Sequence, residues 1–206
     1  MIHHTGFLHK RLFPGLLWSM PGRKVFLTFD DGPHTTATPA VLDVLKEHGI
    51  RATFFLSGKN IAGREPIVQR IITEGHSIGI HAFNHSRSLA FSKERTKEEI
   101  QRTEHLLAPF LTSKPRLFRP PFGFFSWNTI AAAKELGYVL VMWSCLTGDF
   151  SSLSNKKVTD IAIKDLAHGS ILVFHDNDLT ENKIADLLND VIPKIRALGF
   201  EFGAIR

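Results

Sequence analysis

At 206 residues the chain is sized for one α/β domain with a full core, and 43% hydrophobic against 22% charged residues, at a mean hydropathy of −0.02, excludes a disordered segment, a collagen-like fibre and a membrane bundle. The net charge of +5 is scattered, gathering only into pairs such as Arg23-Lys24 and Lys156-Lys157, so no basic face for nucleic acid is read. A single cysteine excludes a disulfide framework and any multi-cysteine zinc site, so a metal would have to be held by carboxylates and some of the 11 histidines. Residues 1–23 read as an N-terminal cap on a single domain spanning 24–206. The segment has Lys10 and Arg11 before a short apolar stretch, but Pro14-Gly15 breaks that stretch and no small-residue cleavage pattern follows, so it is not read as a leader. The compartment and the oligomeric state stay open.

From residue 24 onward strand-like and helix-like patterns alternate. Strands are predicted over 24–30, 52–57, 77–83, 116–119, 138–145, 170–175 and 200–205, where β-branched, aliphatic and aromatic residues cluster. Helices are predicted over 39–49 and 66–75, each ending in glycine, over the charged stretch 93–108, and over 126–137 with Ser126 as its cap. A shorter one is predicted over 159–169. The last starts from a Thr180 cap, places Ile184, Leu187, Leu188, Val191, Ile195 and Leu198 at helical spacing, and carries a kink at Pro193. Such alternation implies parallel strands joined by helical crossovers, in a closed barrel of fewer than eight strands or an open doubly wound sheet. No glycine-rich phosphate loop follows the first strand.

The ionisable residues stand where strands end: Asp30-Asp31, His81 and His85, Arg119, Asp149 and His175. In a parallel β/α barrel these ends converge and build the active site. Neighbouring strand residues point to opposite faces, so Asp30 and Asp31 of TFDDGP reach one site only if the backbone bends, for which the Gly-Pro turn is a candidate. HAFNH places His81 and His85 four apart, and two histidines with one carboxylate form a usual catalytic zinc set. Arg119 of RPPFG can orient a carboxylate, and the rigid loop can present the N–H of Phe122 or Gly123 to an oxyanion. Asp149 of GDF can hydrogen-bond His175 of VFHDN and keep it protonated enough to act as an acid.

These five motifs, in this order, resemble the polysaccharide deacetylase family, the fourth carbohydrate esterase family, over 24–206. The resemblance implies a distorted (β/α)7 barrel of parallel strands with surrounding helices, and a divalent metal, usually Zn2+ with Co2+, Ni2+ or Mn2+ as alternatives, held by Asp31, His81 and His85. It also implies Asp30 as the base, oriented by Arg119, His175 as the acid, fixed by Asp149, and the Phe122 N–H as an oxyanion donor. Pro121, Phe122, Phe150 and Val173 fall at substrate-contacting positions. The implied reaction is removal of N-acetyl groups from an N-acetylglucosamine-containing glycan: peptidoglycan, a chitin-like oligomer or a lipid-linked precursor. An O-acetyl xylan esterase or a deformylase would use the same machinery, and a non-catalytic glycan-binding member is a further class.

Phe122, Phe150 and Val173 stand where relatives carry Tyr, Trp and Leu, and the last two changes predict a roomier acyl pocket. Ile80 and Ala82 replace polar neighbours of His81, which predicts weaker support for that ligand. Phe124, Phe125 and Trp127 are candidates for stacking on sugar or for packing on the barrel. Among the remaining histidines, His34 and His76 are expected to support the site, His3, His4 and His9 belong to the cap, and Cys145 reads as a core residue.

Overall fold

The computed structural model describes residues 4, 7–113 and 116–206, so His3 of the cap lies outside the described residues. The helices are α1 (Phe7–Leu12), α2 (Ala37–Glu47), α3 (Glu65–Thr73), α4 (Lys93–Leu107), α5 (Trp127–Glu135), α6 (Asn155–Ile163) and α7 (Ile184–Ala197). The strands are β1 (Lys24–Asp30), β2 (Thr53–Leu56), β3 (Ser77–Ile80), β4 (Leu117–Phe118), β5 (Val139–Leu140), β6 (Cys145–Leu146), β7 (Ile171–His175) and β8 (Glu201–Gly203). All pair in parallel, in the order β5-β4-β3-β2-β1-β7-β6, and β8 adds to the first half of β1. The result is the expected distorted barrel, a parallel sheet curled on itself with helices outside. No helix among the described residues is long and apolar enough to cross a membrane.

Strand alternation separates two cores. Val25, Leu27 and Phe29 of β1 join the layer under the helices, whereas Phe26 joins Phe55, Leu117, Val141, Ile171 and Ile205 inside the curl. Thr28 and Asp30 continue the inner face upward from Phe26. In register beside them on β7 stand Ile171, Val173 and His175, so Asp30 and His175 are lateral neighbours at the same level. The barrel interior is therefore apolar below and ionisable at the C-terminal strand ends.

The predicted strand over 138–145 is two strands at opposite edges of the sheet. β5 pairs with β4 and β6 with β7, and the residues between them cross from one edge to the other. The start of this crossing is buried, with Val141 and Met142 at 0% and 3% exposure, so its apolar run reflects burial and imitates a strand. The cap segment seals the seam: the Leu17 N–H donates to the Leu140 carbonyl, the Met142 N–H donates to Leu17, and Trp18 is buried.

Helix ends depart from the predictions by their capping. α6 begins at Asn155 because the Ser154 hydroxyl accepts the Lys157 N–H, four residues before the predicted start. Thr180 caps only a turn, its carbonyl accepting from Lys183 and Ile184, and α7 proper follows and runs through Pro193. Ser126 caps α5 as predicted, within a capping box completed by Thr129.

Candidate active site

A cavity of about 450 Å³ at the C-terminal strand ends is lined by Asp30, Asp31, His81, His85, Phe122, Phe150 and His175, with Arg87, Gly123, Trp143, Leu146, Asn177 and Leu179 completing it. A larger cleft of about 840 Å³ lies at the other end of β1, beside Lys24, Arg51, Arg196 and Glu201. Size does not decide between them. The one group of three metal-ligating residues found among the described residues, Asp31, His81 and His85, belongs to the smaller cavity.

Asp31 reaches the cavity because its own backbone is left-handed, at φ 83°, so the bend lies at Asp31 itself, ahead of the Gly-Pro turn. Its Oδ2 accepts the Asn177 amide at 2.7 Å and its carbonyl accepts the Asn60 amide at 2.7 Å. Its Oδ1 is buried without a hydrogen-bond partner and lies 3.6 Å from His81 Nε2 and 3.3 Å from His85 Nε2. Ligand atoms in a tetrahedral zinc site stand about 3.4 Å apart. An orphaned carboxylate oxygen facing two imidazole nitrogens at that spacing fits a divalent ion. Burial alone would raise the Asp31 carboxyl, but the facing His81, His175 and His85 and the Asn177 amide hold it below its ordinary value. Burial and His81 push His85 down to about 4, which leaves its imidazole neutral and able to ligate.

The support expected to be weak at Ile80 and Ala82 is supplied from elsewhere. His81 Nδ1 is 2.8 Å from the Arg119 carbonyl, which can only accept, so Nδ1 carries the proton and Nε2 is directed at Asp31. Ala82 adopts φ 62° and turns the chain out of β3, so the predicted strand over 77–83 stops at Ile80. Glu99 of α4, at 4% exposure, then pins the loop to His85: Oε2 accepts the N–H groups of Phe83 and Asn84 and Oε1 accepts the Asn84 amide. Glu99→Gln places a donor among these donors. It is expected to weaken metal binding at least ten-fold and to cost about 1–3 kcal/mol of stability. Titration of the stripped protein against a competing chelator measures the first effect, and an unchanged affinity would mean that the loop holds itself.

Arg119 is fully buried, and its guanidinium lies against Thr28 and Asp30 of β1. Its Nη1 donates to Asp30 Oδ1 and Thr28 Oγ1, both at 2.7 Å, its Nε donates to the Val141 carbonyl, its Nη2 donates to the Met142 carbonyl, and the guanidinium covers the Phe55 ring at 4.1 Å. Burial pushes the guanidinium below its usual value and Asp30 pushes it back. On the opposite wall, Asp149 Oδ2 accepts the His175 N–H at 2.6 Å and Asp149 Oδ1 accepts from His175 Nδ1 at 2.9 Å. Burial would lower His175, but Asp149 and then Asp30 and Asp31 outweigh it and raise the imidazole to about 9. That direction favours the protonated imidazole, and its Nε2 has no hydrogen-bond partner among the described residues.

The RPPFG loop sets Phe122 at φ 60°, and no acceptor among the described residues takes its N–H. The Trp143 ring presses so closely on Gly123 that a Cβ there would meet it at 2.1 Å. The Phe122 ring lies 4.1 Å from that of His85, and Phe150 meets His175 edge-on at 4.9 Å.

Two predicted contact residues, Pro121 and Val173, do not line the cavity. Val173, at 1% exposure, sits two residues below His175 on the same face of β7 and is covered from above, while Pro121 is buried at the start of the loop's 3-10 turn. Leu146, Trp143 and Leu179 stand at the wall instead, so of Phe150 and Val173 only Phe150 lines the cavity. His34 lies beyond the site, accepting the Ala37 N–H at the start of α2 and meeting Asp178 at 2.8 Å. His76 faces the helix layer, accepts the Ala52 N–H and abuts Phe54. Phe125 packs on Phe13 and Trp18, whereas Phe124 and Trp127 are exposed.

Sequence reasoning missed Glu99, Asn60, Asn177 and Asp176. Asp176 is buried behind the TFDDGP turn, where it accepts the Gly32 N–H at 3.1 Å and the Thr38 hydroxyl at 2.5 Å.

A family model described as polysaccharide deacetylase matches residues 19–141. Two peptidoglycan-N-acetylglucosamine deacetylases of Bacillus cereus are similar. One is 34% identical over 87% of this chain and 66% of its own length, the other 30% identical over 95% and 94%. The chain thus spans about two thirds of the first and nearly all of the second. The crystal structure of the Bc1960 peptidoglycan N-acetylglucosamine deacetylase, bound to a naphthalenyl-benzamide ligand, superposes with a TM-score of 0.87 at 33% identity over 93% of this chain and 91% of that one. A family 4 acetyl xylan esterase from Clostridium thermocellum, solved with a cobalt ion, superposes with a TM-score of 0.81 at 26% identity over 88% of each chain.

Proposed function

The chain belongs to the polysaccharide deacetylase family, and from that premise we propose that it hydrolyses the N-acetyl group of N-acetylglucosamine units in a peptidoglycan-type glycan, releasing acetate and leaving a free amine. The observation that carries the reading is the meeting, in one cavity, of the Asp31-His81-His85 donor set, the Arg119-bound Asp30 and the Asp149-bound His175.

Asp31, His81 and His85 would hold a divalent ion, which when bound supplies Lewis acidity to activate water and polarise the acyl carbonyl. Arg119 engages Oδ1 of Asp30 and leaves its other oxygen to take a proton from the attacking water. As the acyl carbonyl oxygen gains negative charge, the free Phe122 N–H donates to it from a loop that needs no reorganisation. His175 gives its Nε2 proton to the nitrogen as the C–N bond breaks, so the poor amine leaving group departs neutral. A protonated imidazole at this position favours amide over ester cleavage, because an alcohol leaving group needs the proton less.

Acetate release is expected from N-acetylated peptidoglycan strands and much less from O-acetylated xylan, with loss on chelation and recovery on adding metal. Asp30→Asn should lower kcat by about 10²–10⁴ while metal analysis finds the ion still bound. No acetate from any N-acetyl glycan by the metal-loaded protein, or an Asp30→Asn variant as active as the parent, overturns the reading.

A further inference from the structure

Arg87 plays no part in the reaction described above, yet it lines the same cavity as the metal ligands. It opens the 3-10 turn Arg87–Phe91 that follows His85, and the Ser86 hydroxyl fixes that turn by accepting the Ser88 N–H. The guanidinium lies 4.7 Å over the Phe122 ring, and the same ring lies 4.1 Å from His85. The Phe122 ring therefore contacts both the cation and His85, which places Arg87 at the rim of the cavity beside the donor set.

The ring contact holds Arg87 at the cavity without neutralising it. A guanidinium in a cation–π contact keeps its charge, and its N–H fork can grip a carboxylate in two places. No carboxylate among the described residues pairs with Arg87: Asp30 is bound by Arg119, and Asp31 accepts from Asn177 while its other oxygen faces His81 and His85. A neutral glycan would leave the Arg87 edge to water.

We propose that Arg87 is a specificity determinant that binds a carboxylate on the sugar adjoining the one being deacetylated, so that the enzyme prefers an acidic amino-sugar polymer to a neutral one. The inference rests on the deacetylase reading and narrows it, favouring peptidoglycan over chitin-like oligomers. Two sources present this chemistry in peptidoglycan: the lactyl carboxylate of a peptide-free muramic acid, and the carboxylates of a peptide stem.

The test compares acetate release from four substrates of matched length: peptide-free strands, the same strands with carboxylates coupled to methylamine, stem-bearing strands, and chitooligosaccharide. The parent protein is expected to show kcat/KM about ten-fold higher on a carboxylate-bearing strand than on the amidated one, a gap that narrows with added salt. Preference for peptide-free strands assigns the lactyl group, and preference for stem-bearing strands alone assigns the stem. Arg87→Gln should bring the ratio near one by raising KM on the acidic strand with kcat little changed, and Arg87→Lys should keep part of the ratio. Equal rates on carboxylate and amide forms by the parent, or an equal loss on both in Arg87→Gln, overturns the proposal while leaving the deacetylase reading intact. Absence of acetate from every substrate overturns both.

Discussion

Arg119→Met is expected to destabilise the protein by at least about 3–5 kcal/mol, because it strands the Asp30 carboxylate as an unpaired charge in the barrel. Two further acceptors, the carbonyls of Val141 and Met142, lose their donors in the same change, at about 1–3 kcal/mol each where water cannot replace them. Those carbonyls belong to the segment that crosses from β5 to β6, so the guanidinium also ties the seam of the barrel to β1 through Thr28. A domain of this kind has about 5–15 kcal/mol in total, so Arg119→Met should be largely unfolded or close to it. Arg119→Lys, with one ammonium for a planar fork, should fall between. The double variant Arg119→Met, Asp30→Asn removes the stranded charge. It should regain stability over Arg119→Met in urea unfolding and remain inactive, since it lacks the proposed base. An Arg119→Met protein within 1 kcal/mol of the parent would mean that water or a rearranged Asp30 replaces the guanidinium, and that Arg119 is dispensable to the barrel.

The same residue marks how far the sequence could be read. β1 and β7 were legible because each is a buried run ending in an ionisable residue, and Asp30, Asp31, His81, His85, Arg119, Asp149, Phe150 and His175 come together where the strand ends converge. What stayed hidden depends on partners distant in the chain. The start of the crossing at Val141-Met142 could not be told from a strand, because burial gives both the same apolar run. Glu99 was lost in a charged helix that reads as solvated, although Thr96, Ile100, Thr103 and Leu107 mark the buried stripe on which it lies. A carboxylate on such a stripe is the signal that could have found it. Asp176 and Asn177 follow His175 directly, but their work is done on the turn after β1, about 145 residues earlier. His76 misled in the opposite sense: it is near the motif in sequence, yet it faces the helix layer. Asp31 and Ala82 break strand alternation by adopting positive φ at, or next to, a member of the proposed metal-binding set, and such local exceptions concentrate at functional sites.

Asp149→Asn is expected to lower kcat by about 10²–10⁴, comparable to losing the proposed acid, His175, because a neutral amide can neither hold that imidazole charged nor guarantee its orientation. In the metal-free parent, His175 should titrate near 9 by NMR, and in Asp149→Asn it should move down toward the ordinary 6.5. The basic limb of kcat/KM should move down with it, converting a broad bell into a narrow one. Stability follows from the same shift. A histidine whose folded-state pKa is raised contributes fully below the unfolded value of about 6.5, and that contribution, on the order of 3 kcal/mol, disappears as pH rises through about 9. Asp176 acts in the same direction at lower pH: burial pushes its carboxyl up to about 8, so the unfolded chain gives up that proton first and stability declines from about pH 4 to 8. The two are separable because Asp149→Asn touches only the first. Thermal melts of the metal-free parent should lose stability between pH 6.5 and 9 more steeply than those of Asp149→Asn. Parallel curves, or a His175 resonance that titrates at the same pH in both proteins, would mean that Asp149 positions the imidazole without charging it, and the acid would then have to draw its proton affinity from Asp30 and Asp31 alone.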